Sequence, residues 1–255
     1  MINTLLLVLL IIFGIQVLFF IFASAFKTDK VTDLAYGLTF VIIAWFLLIK
    51  NGMFDLTRII LVIMVTLWGL RLAGYLFYRI IRIGRDKRFD GIRESFWKFA
   101  GFWTAQTIVI FVVLLSTIIF LEQTDVEWKI LSGLGLAVWI IGFAIETVAD
   151  KQKFSFWNNP KNKNRWIDTG LWYHSRHPNY FGEILCWTGI FIYTIPILNS
   201  WEWVSIISPI SIAATIIFFS GIPTVEKRDD ERYGKIKGYQ RYKRTTSVLI
   251  PWFKG

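Results

Sequence analysis

Seven apolar runs, each about as long as a bilayer is thick, leave this chain few folds to choose from. A helix needs ~20 residues to cross the hydrocarbon layer. Runs of that order occur at 4–26, 33–49, 56–78, 98–121, 129–149, 180–198 and 203–222. Hydrophobic residues make up 55% of the 255, above the ~45–50% usual in soluble domains. The pattern predicts an all-α, multi-pass integral membrane protein with seven transmembrane helices. The opening run lacks a charged n-region and a small-residue cleavage site, so it reads as a first span and not as a removable signal peptide.

Charge supplies the expected orientation, because basic residues of short loops stay on the cytoplasmic side. Two lie in the first loop, seven from Arg79 to Lys98, six from Lys151 to Arg176 and nine from Lys227 onward, which is 24 of the 28 Lys and Arg. The remaining loops hold Lys50, Arg58 and Lys129 against Asp55, Glu122, Asp125, Glu127 and Glu202. An outside N-terminus and a cytoplasmic C-terminus satisfy this pattern. The net charge of +10 is then mostly topology together with contact to membrane lipids, and nucleic-acid binding is not expected. The charged run 85–88 reads as a solvated loop, and Tyr233, Tyr239 and Tyr242 of the basic tail read as interfacial anchors.

Several chemistries drop out. The single cysteine, Cys186, excludes an intramolecular disulfide and reads as a small core residue. Two histidines three residues apart beside one buried thiol do not compose a metal site, and none is assigned. The longest stretches outside the spans, 79–97, 150–179 and 223–255, are too short to build a core of their own. The chain is expected to be one membrane-embedded domain over 1–255 with a basic tail from 223, in which any cofactor is held by the bundle and its loops. No Gly-x-Gly-x-x-Gly or phosphate-loop motif is present. Gly133 and Gly135 suit close helix packing.

Both histidines fall in the run Gly170 to Glu183, where His174, Arg176, His177, Asn179 and Glu183 collect at the mouth of an apolar segment. Pro178 suits a first helical position, since its fixed φ is pre-organised and its missing N–H would be unpaired there anyway. The run reads as a helix entrance whose free N–H groups favour anions such as phosphates.

Ionisable groups inside spans are costly and are functional candidates. Asp33 opens the second run with Tyr36 and Gly37 on its face. Arg71 lies in the third, with Tyr75, Tyr78 and Arg82 following at helical intervals. Glu146 and Asp150 are four apart in the fifth, and Glu183 is four after Asn179 in the sixth. These residues outline a polar cavity open to the cytoplasm. Asp33 could instead serve only as a helix cap, and Arg71 could simply neutralise Asp33, Glu146 or Asp150.

The motif Ser175-Arg176-His177-Pro178-Asn179-Tyr180-Phe181-Gly182-Glu183, preceded by Asp168-Thr169-Gly170-Leu171-Trp172, closely resembles the C-terminal signature of the steroid 5α-reductase superfamily. More narrowly it is similar to a bacterial branch of seven-span proteins, which implies the bacterial inner membrane. The likeness extends to Asp33-Leu34-Ala35-Tyr36-Gly37, Trp68-Gly69-Leu70-Arg71-Leu72, the Arg-rich third loop, Tyr239-Gln240-Arg241-Tyr242 and Val248-Leu249-Ile250-Pro251-Trp252. The resemblance implies NADPH-dependent reduction of a carbon–carbon double bond conjugated to a ketone in a small lipophilic, steroid-like or sterol-like substrate. It places Asn179 and Glu183 at the nicotinamide end of the cofactor and adds Asp150 and Arg82 to its binding, with Arg71, Arg165, Arg176 and His177 completing the cofactor set. Asp33, joined by Tyr36, matches a glutamate beside the substrate ketone. Where steroid-reducing relatives carry a tyrosine partner for that glutamate, this chain has Trp68, whose indole cannot act as a phenolic acid; Tyr36 or Tyr75 are the replacements.

Two other readings compete. A membrane methyltransferase of the isoprenylcysteine carboxyl type shares the Arg-His-Pro turn and a basic, tyrosine-bearing tail and uses S-adenosylmethionine. Against it stand Glu183 following Tyr180-Phe181-Gly182, and Glu226-Lys227 in place of a paired Glu-Glu. A non-catalytic lipid-binding or scaffold protein would leave the intramembrane charges without a purpose.

Overall fold

The computed structural model describes residues 1–84 and 86–252. Its helices are α1 (Ile2–Ala25), α2 (Thr32–Asn51), α3 (Leu56–Ile83), α4 (Phe96–Val113), α5 (Leu115–Leu121), α6 (Ile130–Asn158), α7 (Leu171–His174), α8 (Pro178–Thr194), α9 (Ile207–Ala214), α10 (Ile222–Tyr233) and α11 (Lys237–Thr245). No strand forms among the described residues; an isolated bridge pairs Ser175 with Ser247. Among the described residues seven helical segments are long and apolar enough to cross a membrane. The protein is an all-α, multi-pass integral membrane protein.

Four of the expected runs coincide with spans to within a few residues, while three differ in an instructive way. The run at 98–121 is interrupted at Leu114, which separates α4 from α5. The run at 129–149 continues as helix to Asn158, so Asp150 sits on a rigid helical extension and not at a loop. The run at 203–222 lies within the composite segment Ser200–Tyr233: a 3-10 turn over Ser200–Ile206, then α9, a π-type turn over Thr215–Phe219, and α10. α10 carries seven charges in twelve residues, which a lipid environment would not tolerate.

The chain divides into two compact units, 1–132 with 193–208, and 133–192 with 209–255. In the first, α2 and α3 pack most closely, with α1 against α4 and α2. α2 meets α3 in backbone contact. A Cβ on Gly37 would stand 2.7 Å from the Gly69 carbonyl oxygen, and one on Gly69 would stand 2.8 Å from that of Gly37. Without a hydrophobic drive between helices in lipid, such close approach by small residues is what holds them. The crossing brings the Tyr36-Gly37 and Trp68-Gly69 motifs side by side. Asp55 caps α3 by accepting from the Arg58 N–H at 3.0 Å, as an N-cap carboxylate should. A polar chain threads the unit: Gln106 Nε2 donates to Gln16 Oε1 (2.8 Å), and Gln16 Nε2 donates to the Thr39 hydroxyl (2.9 Å).

The second unit repeats the device. A Cβ on Gly142 of α6 would lie 2.7 Å from the Gly182 carbonyl oxygen of α8, and one on Gly189 would lie 2.7 Å from that of Gly135. The packing role expected of Gly135 is therefore realised. The contact at Gly182 also sets its helix against the backbone of Glu146, whose amide nitrogen would be 2.6 Å from a Cβ there.

Candidate functional site

The candidate residues fall into two sets, Asp33, Tyr36, Arg71 and Arg82 in the first unit and Asp150, Arg165, Arg176, His177, Asn179 and Glu183 in the second.

In the first set, Asp33 is the second residue of α2, whose N-cap is Val31 with no side-chain capping bond. The helix-cap reading of Asp33 is thus not what the structure shows. Its carboxylate stands 3.7 Å from Nη2 of Arg79, which is also 3.8 Å from Asp86. The pairing belongs to an ionic chain between the first and third loops: the Asp86 N–H donates to Asp29 Oδ2 at 2.6 Å, and buried Asp29 pairs with buried Arg93, which also pairs with Asp90 and Glu94. Within the run at 85–88, Asp86 is therefore not merely solvated. Asp86 is half-buried and takes Arg88 in a two-pronged contact (2.9 and 2.7 Å). Burial alone would raise its pKa, but the Arg88 hydrogen bonds and the nearby guanidinium of Arg79 outweigh that and lower it. Residue 85 lies outside the described residues.

Tyr36, one turn beyond Asp33, packs edge-on against Phe40 (5.1 Å) and Trp68 (6.5 Å), with Phe40 against Trp68 at 5.1 Å. Trp68 is wholly buried. Tyr36, one of the two tyrosines left open as replacements, borders Trp68. Arg71 lies half-buried in the middle of α3. Arg82 is exposed and donates to the Tyr78 hydroxyl at 2.7 Å, its guanidinium 5.1 Å above that ring. Arg79, which sequence reasoning passed over, stands beside Asp33. Its place three residues before Arg82 gave no local signal that it would face another helix.

In the second set, α8 begins at Pro178 as expected. Ahead of it, Ser175 is held extended: its Oγ donates to the Leu249 carbonyl (2.7 Å) and accepts from the His177 N–H (3.1 Å). This turns Arg176 and His177 toward α10. Arg176 Nη1 donates to Glu226 Oε2 at 3.0 Å, and His177 Nε2 donates to Glu226 Oε1 at 2.8 Å. Lys243 of α11 closes the cluster, 3.0 Å from Glu226 and 2.6 Å from Asp230. Burial lowers the pKa of His177 more than the Glu226 hydrogen bond raises it, and its buried Nδ1 has no hydrogen-bond partner. The two residues expected to contact cofactor are thus committed to Glu226. Only the departure Glu226-Lys227 had marked that position in the sequence.

Asn179 occupies the first turn of α8, and its Oδ1 is buried with no hydrogen-bond donor. Glu183, one turn further, is half-buried. On α6, Glu146 is 2% exposed and Asp150 is 7% exposed, and the Cys186 thiol lies 3.9 Å from Glu146. Arg165 points its side chain to solvent and serves the fold through its carbonyl, which accepts from Tyr233 Oη at 2.9 Å. The tail tyrosines are not interfacial anchors. Tyr233 and Tyr239 are buried around Trp166, and Tyr242 donates to the Trp172 carbonyl at 2.8 Å. Their hydroxyls find partners inside the unit, which a ring at the membrane surface would not need.

Helical architecture, glycine-mediated crossings and buried carboxylates define a polytopic membrane protein with a polar helix entrance. The family described as "Protein of unknown function (DUF1295)" matches residues 19–246, and the chain belongs to it. No curated protein and no solved structure matches.

Proposed function

We propose that this protein is a membrane-embedded reductase that uses NADPH to saturate a carbon–carbon double bond conjugated to a ketone in a lipophilic, steroid-like or sterol-like substrate, in the bacterial inner membrane. The observation that carries the reading is Asn179. A buried carboxamide oxygen with no donor at a helix entrance is costly unless a ligand supplies an N–H. The carboxamide of a nicotinamide offers one, so the donor set fits this cofactor. The resemblance of the Ser175 to Glu183 motif to the steroid 5α-reductase superfamily supports the same assignment.

In this reading Asn179 and Glu183 hold the nicotinamide end, Asp150 and Arg71 contribute to cofactor binding, and Glu226 keeps Arg176 and His177 in place at the helix entrance. NADPH supplies the hydride. Reduction builds negative charge on the ketone oxygen, and donors fixed in advance around it lower the barrier. Asp33 and Tyr36 are assigned there. The Tyr36 hydroxyl is a donor at any pH below its ionisation, a carboxyl group donates only when protonated, and Arg79 beside Asp33 adds fixed positive charge. The alkene takes up a hydride at one carbon and a proton at the other, with solvent as the ultimate proton source.

Titration calorimetry of the detergent-purified protein with NADPH, NADH and S-adenosylmethionine tests the proposal. Saturable binding of NADPH is expected. Binding of S-adenosylmethionine alone would transfer the protein to the methyltransferases.

A further inference from the structure

The geometry points to a docking surface for anionic phospholipid headgroups, built from α11 and the tail that follows it. α11 has two unlike faces. Tyr239 and Tyr242 turn inward, whereas Lys237, Arg241 and Arg244, at i, i+4 and i+7, form one exposed stripe and make no ion pair among the described residues.

After buried Thr246 the chain bends at 248–250 and lies along the segment that precedes α8. Ser247 accepts from the Arg176 N–H (2.8 Å), Leu249 accepts from Ser175 Oγ (2.7 Å), and the Trp252 N–H donates to the His174 carbonyl (3.1 Å). Here Val248, Ile250 and Trp252 are 42%, 62% and 73% exposed, while Ser247, Leu249 and Pro251 are half-buried. This stretch is therefore an apolar edge beside a cationic stripe.

Its depth follows from its partners. Residues 174–176 lie two to four positions before Pro178, where a membrane span begins. At no more than ~3.3 Å per residue that is at most roughly 7–13 Å, within or just outside a headgroup layer ~5–8 Å thick on each side. Water at that level would meet three large apolar side chains. An anionic bilayer instead offers acyl chains to Val248, Ile250 and Trp252, and phosphates to Lys237, Arg241 and Arg244. Charge complementarity selects anionic over zwitterionic lipid. Each cation near such a surface is worth ~1 kcal/mol, or about fivefold in partitioning.

The full-length protein carrying Ile250→Cys in a Cys186→Ala background, labelled with an environment-sensitive fluorophore and reconstituted into bilayers of graded phosphatidylglycerol content in phosphatidylcholine, tests this. Apolar-type emission is expected to rise with anionic lipid and to revert at ~1 M salt, where the screening length is ~3 Å. Lys237→Gln with Arg241→Gln and Arg244→Gln should move the midpoint to higher anionic content or abolish the transition, with the thermal midpoint retained. Because labelling replaces an apolar residue, quenching of Trp252 by brominated anionic lipid, read as the difference from Trp252→Phe, gives a second measure. Equal emission in both lipids, or burial of the label only in native membranes through a protein partner, would overturn the assignment.

Discussion

His177 and Glu226, forty-nine residues apart, are joined through Nε2 and Oε1 at 2.8 Å, and the other oxygen of the same carboxylate accepts from Arg176 at 3.0 Å. One side chain of α10 thereby latches the entrance of α8. Glu226→Ala leaves a largely buried guanidinium and a buried ring N–H without an acceptor. The expected loss is ~2–3 kcal/mol, lowering the thermal midpoint by roughly 4–12 °C. The same bond has a pH signature. Burial holds the pKa of His177 below the ordinary 6.5, so the unfolded chain takes up a proton that the folded one resists. The stability gained from keeping this ring neutral is present above pH ~6.5 and is lost as pH falls through the folded value. A pH series of melting curves should show that acid limb in wild type and a reduced one in His177→Gln.

The glycine crossings predict where bulk is not accepted. Gly37→Val and Gly182→Val each place atoms where even a Cβ would stand 2.7 Å or less from neighbouring backbone. Both should lower the yield of monodisperse protein and the melting temperature sharply, whereas Gly14→Val, with open space around it, should change neither.

Asn179→Ala and Glu183→Gln should weaken NADPH binding while leaving the melting curve near wild type. A lost hydrogen bond to a charged or unsolvated partner is typically worth ~1.5–3 kcal/mol, or roughly ten- to a hundred-fold in affinity. Calorimetry reads this directly, and undiminished binding in both variants would make the helix entrance structural.

Asp33 separates catalysis from binding. Asp33→Leu should depress enone-dependent NADPH oxidation by ~10²–10³-fold, as for the loss of one preorganised group at a developing oxyanion, with nearly unchanged NADPH affinity. Asp33→Asn, which keeps a donor, should retain more activity. Arg79→Gln should act in the same direction as Asp33→Leu, because the two side chains stand 3.7 Å apart. Wild-type turnover in Asp33→Leu, measured across progesterone-like and smaller cyclic enones, would remove Asp33 from the reaction.

Topology is checked by reporter fusions. With 24 of 28 basic residues in alternate loops, a reporter after Gly255 should be cytoplasmic and one inserted near Gln123 external.

What could be read from the chain alone is what depends on neighbouring residues. The apolar runs located the spans, since crossing hydrocarbon is a matter of length and composition; Pro178 marked the start of α8, because its fixed φ acts on its own residue; and the i, i+4 spacing of Asn179 and Glu183 placed them on one helix face. The tertiary structure decided everything that requires one element to meet another. It set Arg79 beside Asp33, brought Glu226 to Arg176 and His177, turned Tyr239 and Tyr242 into the second unit, and broke the fourth and seventh runs into shorter helices. Those outcomes depend on the rotation and register of packed helices. A rotation of one residue step, 100° of helix, exchanges the side chain that faces a partner for one that faces lipid, and no local pattern records which of the two a distant helix will meet.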